Sequence, residues 1–469
     1  MAWAQHSTYI SPYNMSNRPD FLHAGYVAVI ALSMVFSTCS PQPTHEPPAY
    51  EIATRLAIDW NRLLLELEWH TQGYRAPISA RMFAYTEMAA YEAALPAMAG
   101  YTSLNRTHQG YQRCFVSAEN YFLPAAVNTA FAFMARAFFS TAPPNYFEKI
   151  QQLEAQYNLE ITTQANKADI QYSNAFGYQT AAAVWQYSTQ DSIGHNGVKD
   201  NYDLHFKPEV RAGCWKIDSH YPSPPLLPHW GKVRSFTVNK DEIVAKPPIP
   251  FNESAGSAFF SEALEVFSIH QSLTAEERWI AEFWSDDLPG LTVTPVGRWM
   301  SITTQAVKKS TLPFPEVMET YLKTAIALHD AAVVCWDKKY IYQVERPESY
   351  IRRNIKTDWE PMHSSPAFPS YPSGHAIFGA AAAEILSEAF GEQFELVDYT
   401  HKGRIEFKGS PRKFDSFLTM ADENAYSRML IGVHFRNDCE EGLRLGKLVG
   451  KKVVDLKLHD VIVASLWSN

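Results

Sequence analysis

KYIYQVERP at 339–347, YPSGH at 371–375 and SRMLIGVHFRND at 427–438 are three short blocks in the last third of a 469-residue chain. Lys339 and Arg346 are seven residues apart, two turns and one face of a helix, and Pro347 is expected to stop that helix with the guanidinium at its end. In the second block Pro372 suits the first turn of a new helix, Ser373 offers a hydroxyl, and the first amides around Gly374 are donors without helical partners. In the third, Ser427, His434 and Asp438 are expected on one helical face, so that Asp438 bonds one ring nitrogen of His434 and leaves the other free. Arg428 lies off that face by about a third of a turn, within reach of the same pocket through its long side chain.

Taken singly, the blocks have plainer readings: a solvated helix face, a helix start and a surface His-Asp pair. Together they give three cations, a hydroxyl, helix-start amides and two histidines, His375 and His434. This inventory suits a tetrahedral oxyanion. Three cations match the equatorial oxygens of a trigonal bipyramid and a histidine stands at each apex, one to attack or ligate and one to handle the proton.

The pattern Lys-x6-Arg-Pro, Pro-Ser-Gly-His, Ser-Arg-x5-His-x3-Asp resembles the superfamily that unites type 2 phosphatidic acid phosphatases, bacterial class A acid phosphatases and vanadium-dependent haloperoxidases. The resemblance implies an all-α fold of two packed four-helix bundles with the site in the C-terminal one. It implies that Lys339, Arg346, Ser373, Gly374 and Arg428 hold the anion, that His434 bonds vanadium or attacks phosphorus, and that His375 is the acid-base group. Trp336 and Phe368 sit where fungal chloroperoxidases of the family carry Trp and Phe, and the segments PLLPHWGKVRSF (225–236) and AEFWSDD (281–287) look like the soluble haloperoxidases. The expected cofactor is therefore vanadate, with hydrogen peroxide and halide as substrates. One alternative is an exported phosphatase acting on a phosphate ester through a phosphohistidine at His434, with phosphate in the same site. Another is a lipoprotein that binds an oxyanion or a partner without catalysis.

A net charge of −9 and a pI near 6.0 argue against a general nucleic-acid binder. The apolar run AGYVAVIALSMVF (24–36), with Arg18 before it and Cys39 after it, reads as a signal peptide ending at a lipoprotein cysteine; a signal cut elsewhere or a buried helix are the alternatives. Export to the periplasm or outer membrane follows, with membrane contact only through Cys39. Residues 40–49 form a Pro-rich linker and 50–469 one helical domain with its site in 335–440. A Cys114–Cys214 disulfide is possible in an oxidising compartment, whereas Cys335 and Cys439 read as buried apolar residues.

Apolar spacing of three and four predicts helices at 50–68, 77–95, 121–140, 144–166, 168–188, 256–270, 274–286, 295–309, 315–340 and 439–458, besides the one after His375. Eight prolines between 208 and 250 break that pattern, so 190–252 is expected to be a long irregular excursion. The resemblance implies that it lies near the site entrance, with Trp215, His220, His229 and Trp230 lining a channel, the alternative being that these histidines are ordinary loop residues. A loop or small hairpin is expected over 397–417, and Asp286 and Asp287 as counter-charges to a site arginine.

Overall fold

The computed structural model describes residues 47–217, 223–288 and 290–459. The signal segment with Cys39, most of the linker, and His220 lie outside the described residues. Fourteen helices are described, in chain order α1 (Pro48–His70), α2 (Ala76–Ala94), α3 (Leu123–Phe138), α4 (Pro144–Ile161), α5 (Lys167–Thr189), α6 (Ser192–Asn196), α7 (Ala258–Gln271), α8 (Ala275–Phe283), α9 (Pro295–Lys309), α10 (Phe314–Tyr342), α11 (Pro347–Asn354), α12 (Gly374–Phe390), α13 (Phe417–Ile431) and α14 (Arg436–Val454). Prolines at the first helical positions open α1, α2, α3, α4, α9, α10 and α11, where their missing N–H groups would have had no partner. Side chains of Asn166, Ser257, Thr274, Thr294 and Ser416 cap α5, α7, α8, α9 and α13. The expected hairpin is present as β1 (Leu396–Asp398) and β2 (Arg412–Phe414), antiparallel with Val397 opposite Lys413.

Helices α1, α2, α3 and α5 pack as one four-helix group with α4 against it, and α10, α12, α13 and α14 as a second. Helix α2 packs on α10, and α9 touches α1, α2, α10 and α12, so a single apolar core runs through both groups. Every residue of α2 is buried, which explains why its sequence is Ala-, Met- and aromatic-rich on all sides. Within the second group α14 presents Gly442, Gly446 and Gly450 to α12. A Cβ on Gly446 would overlap the carbonyl of Ile377, and one on Gly442 would come within 2.7 Å of that of Ser373. The two backbones therefore touch, and the start of α12 is held against the start of α14. No helix among the described residues is long and apolar enough to cross a membrane.

Three local expectations are corrected. Lys339 and Arg346 do not share a helix: α10 stops at Tyr342, Gln343 turns left-handed at φ 50°, and Arg346 is the N-cap of α11, which Pro347 opens. The cause is non-local. Trp215 donates to the Gln343 carbonyl at 2.6 Å, Glu345 to that of Gly213 at 2.9 Å, and this pairing replaces the helical bonds. Pro372 likewise precedes α12 instead of entering it; its bond to Tyr371 is cis, and Ser373 is the N-cap. Finally, Ser427, His434 and Asp438 are not on one helix. Helix α13 ends at Ile431, Gly432 leaves it at φ 90° under Trp359 and Pro361, and α14 begins at Arg436.

The described residues of 190–252 are irregular apart from α6 and a short turn at Trp230–Lys232. Their backbone is anchored by the buried Asp330 of α10, whose carboxylate accepts from the amides of Phe236, Thr237 and Val238 at 2.7–3.1 Å. Cys114, Cys214, Cys335 and Cys439 are all free, so the Cys114–Cys214 disulfide is not formed; Cys335 and Cys439 are buried as expected.

Candidate active site

The residues of all three blocks converge despite the corrected helices. Arg346, fixed at the turn after α10, donates from Nε to the Phe368 carbonyl at 3.0 Å and from Nη1 to that of Val433 at 2.9 Å. Its Nη1 also lies 3.2 Å from Nε2 of His434. His434 sits in the joint between α13 and α14, where its Nδ1 is 3.0 Å from Oδ2 of Asp438. That carboxylate also receives the hydroxyl of Ser370 and, at 3.1 Å, the amide of Phe435. Nδ1 therefore carries the proton toward Asp438, and the Nε2 lone pair faces the arginines. Ser370 carried no sequence signal; its role rests on a fold contact with α14.

Arg428, in the last turn of α13, donates from Nη1 to the Trp284 carbonyl at 3.0 Å. Behind it lies a buried charge cluster: Asp286 receives His401 Nε2 at 2.8 Å and Arg298 Nη1 at 3.4 Å, and Arg298 Nε meets Asp398 at 2.9 Å. The charges of Asp286 and Asp287 act on Arg428, in keeping with the counter-charge expected of them. Both follow α8, which ends three residues earlier than expected. The resemblance implies that Lys339 helps to hold the anion, and the structure places its donors elsewhere. Its ammonium donates to the carbonyls of Pro369, Ser370 and Pro372 at 2.9, 2.8 and 2.6 Å, so it brings charge to the site with all three N–H bonds engaged.

Arg428 and His434 line a cavity of about 60 Å³ together with Trp336, Phe368, Phe378, Gly374 and His375, and Ala76 and Pro295 close it from α2 and α9. Trp336 and Phe368 pack together with ring centroids 5.1 Å apart, and Phe368 lies under Lys339 and Arg346 at 5.1 and 4.9 Å. His229 and Trp230 instead line a separate outer cleft with Tyr202 and Leu204, and Trp215 is buried.

Polar atoms without a partner mark what the site can hold. Arg346 Nη2, Arg428 Nε, Ser373 Oγ and His375 Nε2 are all buried and unpartnered. Ser373 is an N-cap whose hydroxyl does not cap its helix. A Cβ on Gly374 would meet Phe378, Trp336 and Cys335 only at ordinary distances of 3.7–4.0 Å, so glycine there keeps cavity space open. Burial, with mutual repulsion, pulls Lys339 down to about 7; burial pulls Arg346 and Arg428 down as well. Burial and the same cations hold His375 and His434 well below the usual histidine range, hence neutral. Burial pushes Asp438 up to about 6. A socket of buried donors and under-compensated cations fits a small oxyanion, and His434, neutral and oriented by Asp438, would offer it a nitrogen ligand.

Comparison with known proteins agrees. Residues 319–461 match a family model described as the VCPO second helical-bundle domain. The chain is 22% identical over 318 residues to the vanadium chloroperoxidase of Curvularia inaequalis, covering 52% of each chain, so it spans about half the length of that relative. It is 31% identical over 106 residues to the vanadium-dependent bromoperoxidase of Ascophyllum nodosum, covering 21% of this chain and 19% of that one. Among solved structures, a bacterial vanadium-dependent iodoperoxidase superposes with a TM-score of 0.77 at 27% identity, over 87% of this chain and 98% of the other. An apo bacterial vanadium-dependent chloroperoxidase superposes at 0.62 with 14% identity, over 81% and 93%.

Proposed function

We propose that this chain, which belongs to the superfamily uniting vanadium-dependent haloperoxidases with type 2 phosphatidic acid phosphatases, oxidises halide with hydrogen peroxide using vanadate held in this socket. The observation that carries the reading is the set of four buried, unpartnered polar atoms on Arg346, Arg428, Ser373 and His375, in a site where Asp438 orients His434 and Trp336 and Phe368 line the cavity. Bound vanadate would supply a Lewis acid that activates peroxide without changing its own oxidation state.

The rest is done by side chains of this chain. Arg346 Nη2, Arg428 Nε, Ser373 Oγ and the first amides of α12 hold the oxyanion, and Lys339 adds charge from one layer behind. Asp438 keeps His434 in the tautomer whose Nε2 is the ligand. His375 holds or moves the proton that the reaction consumes. Trp336, Phe368 and Phe378 keep bulk water out, which strengthens each charged contact inside.

The test is to assay the purified protein with vanadate, peroxide and chloride, bromide or iodide in turn, beside a phosphate ester without vanadate. Trapped hypohalous acid supports the reading; ester hydrolysis with no halide oxidation contradicts it and favours the phosphohistidine route through His434. The reading extends to an exported lipoprotein, supported by the apolar run 24–36 and Cys39. Cys39→Ala should release the protein from the membrane fraction, and unchanged lipid labelling would refute the anchor.

A further inference from the structure

A third histidine, His363, lines the same cavity as His375 and His434. It stands on the loop before Phe368, partly exposed, beside the exposed Ser364 at the cavity mouth. Its Nε2 lies 2.8 Å from Oγ of Ser285, and the Ser285 hydroxyl donates to the Ala281 carbonyl, also at 2.8 Å. A hydroxyl has one hydrogen, so Ser285 is the acceptor toward His363 and Nε2 carries the proton. Nδ1 is then the bare nitrogen. It has no protein partner among the described residues and is not among the buried unpartnered atoms, so it is open to water.

We infer that His363 is the proton-entry residue of the site, taking a proton from water at the mouth and passing it through cavity water to His375. This rests on the haloperoxidase reading. Oxidising halide by peroxide consumes one proton: halide, hydrogen peroxide and H⁺ give hypohalous acid and water. The halide gives up two electrons, the O–O bond accepts them, and the departing oxygen leaves as water. His375 and His434 are surrounded by Lys339, Arg346 and Arg428, which oppose the arrival of a further positive charge. His363 is placed at the edge of that field. The charges that act on it are Arg428 of α13 and Glu282 of α8, and Asp286 and Asp287 line the same cavity. Burial and Arg428 hold its proton affinity down, and Glu282 opposes them. An oxyanion on Arg428 offsets part of the opposing charge, so a filled socket eases proton uptake at His363.

Two variants separate proton carriage from the Ser285 bond. His363→Gln keeps an N–H for Ser285 but cannot titrate; His363→Ala loses both. With vanadate, peroxide and iodide, both should lose about tenfold in kcat at pH 8, within the range of general acid–base effects, with the loss shrinking toward pH 5 where protons are plentiful. Added imidazole should restore the Ala variant, and vanadate affinity should stay within about twofold of wild type. Wild-type kcat in both variants across this range overturns the inference. So does wild-type kcat in Gln alone, which would leave only the Ser285 bond. A readout independent of turnover is the NMR titration of His363, which should move to higher pH when phosphate binds; no movement also overturns it. Wild-type protein that binds vanadate but oxidises no halide overturns the functional reading itself, a different result from either.

Discussion

Arg428 reaches the cavity with Nη1 already bonded to Trp284 and Nε free, so it has at least one charge-assisted bond to give an anion besides its charge. Arg428→Ala should weaken phosphate and vanadate together, by roughly 10- to 100-fold for a bond of that kind, as read by calorimetric titration; sparing either anion would contradict a shared socket. His434→Ala should behave differently. Phosphate binding persists, because the cations remain, while vanadate affinity falls toward that of phosphate and turnover disappears with the helical circular dichroism unchanged. At this scale the sequence was legible, since Lys, Arg, Ser-Gly-His and His-x-x-x-Asp are the chemistry itself. Ser370 and His363 were not, because each gains its meaning from a partner far away in sequence: Asp438, 68 residues on, and Ser285, 78 residues back.

Helices α12 and α14 position the site because they touch backbone to backbone through Gly442, Gly446 and Gly450. Gly446→Ala should push them apart, lowering stability by about 1–3 kcal/mol and weakening anion binding although the residue touches no anion. Unchanged thermal unfolding would show that the contact is not tight. Helix existence was readable from apolar spacing, and α9 matches its expected range at both ends. The joints were not readable. Gln343 ends α10 because residues 213–215 pair with the chain beyond it, and no local pattern around 343 announces a partner about 130 residues earlier. Gly432 offered the one local hint, a left-handed C-cap, but the His-x-x-x-Asp spacing reads equally well as unbroken helix.

Over the whole molecule, the first four-helix group carries buried acids that tie stability to pH. Burial pushes Glu87 up to about 8, and Glu68 and Glu92 up to about 7. Glu87 has Asn61 as its polar neighbour, and neither of its carboxylate oxygens has a hydrogen-bond partner, so burial favours the neutral acid. A folded pKa above the unfolded one means this stability is fully present below about 4.5 and is lost as pH rises through about 8, at up to roughly 1.4 kcal/mol per pH unit. Urea unfolding should therefore show the protein less stable at pH 8 than at pH 5.5, and Glu87→Gln, which stays neutral, should flatten that decline; an unchanged slope would mean Glu87 is ionised in the fold. The second group carries the socket, with α2 and α9 closing the cavity from outside it. The most direct test of that socket is a competition titration of vanadate against phosphate, followed by the fluorescence of the apo protein, in which Trp336 lines the cavity. Binding should be mutually exclusive, with vanadate tighter by about 100-fold or more, because His434 Nε2 would give vanadium a coordinate bond that ground-state phosphate does not take. Independent binding of the two anions, or equal affinity for both, would contradict it.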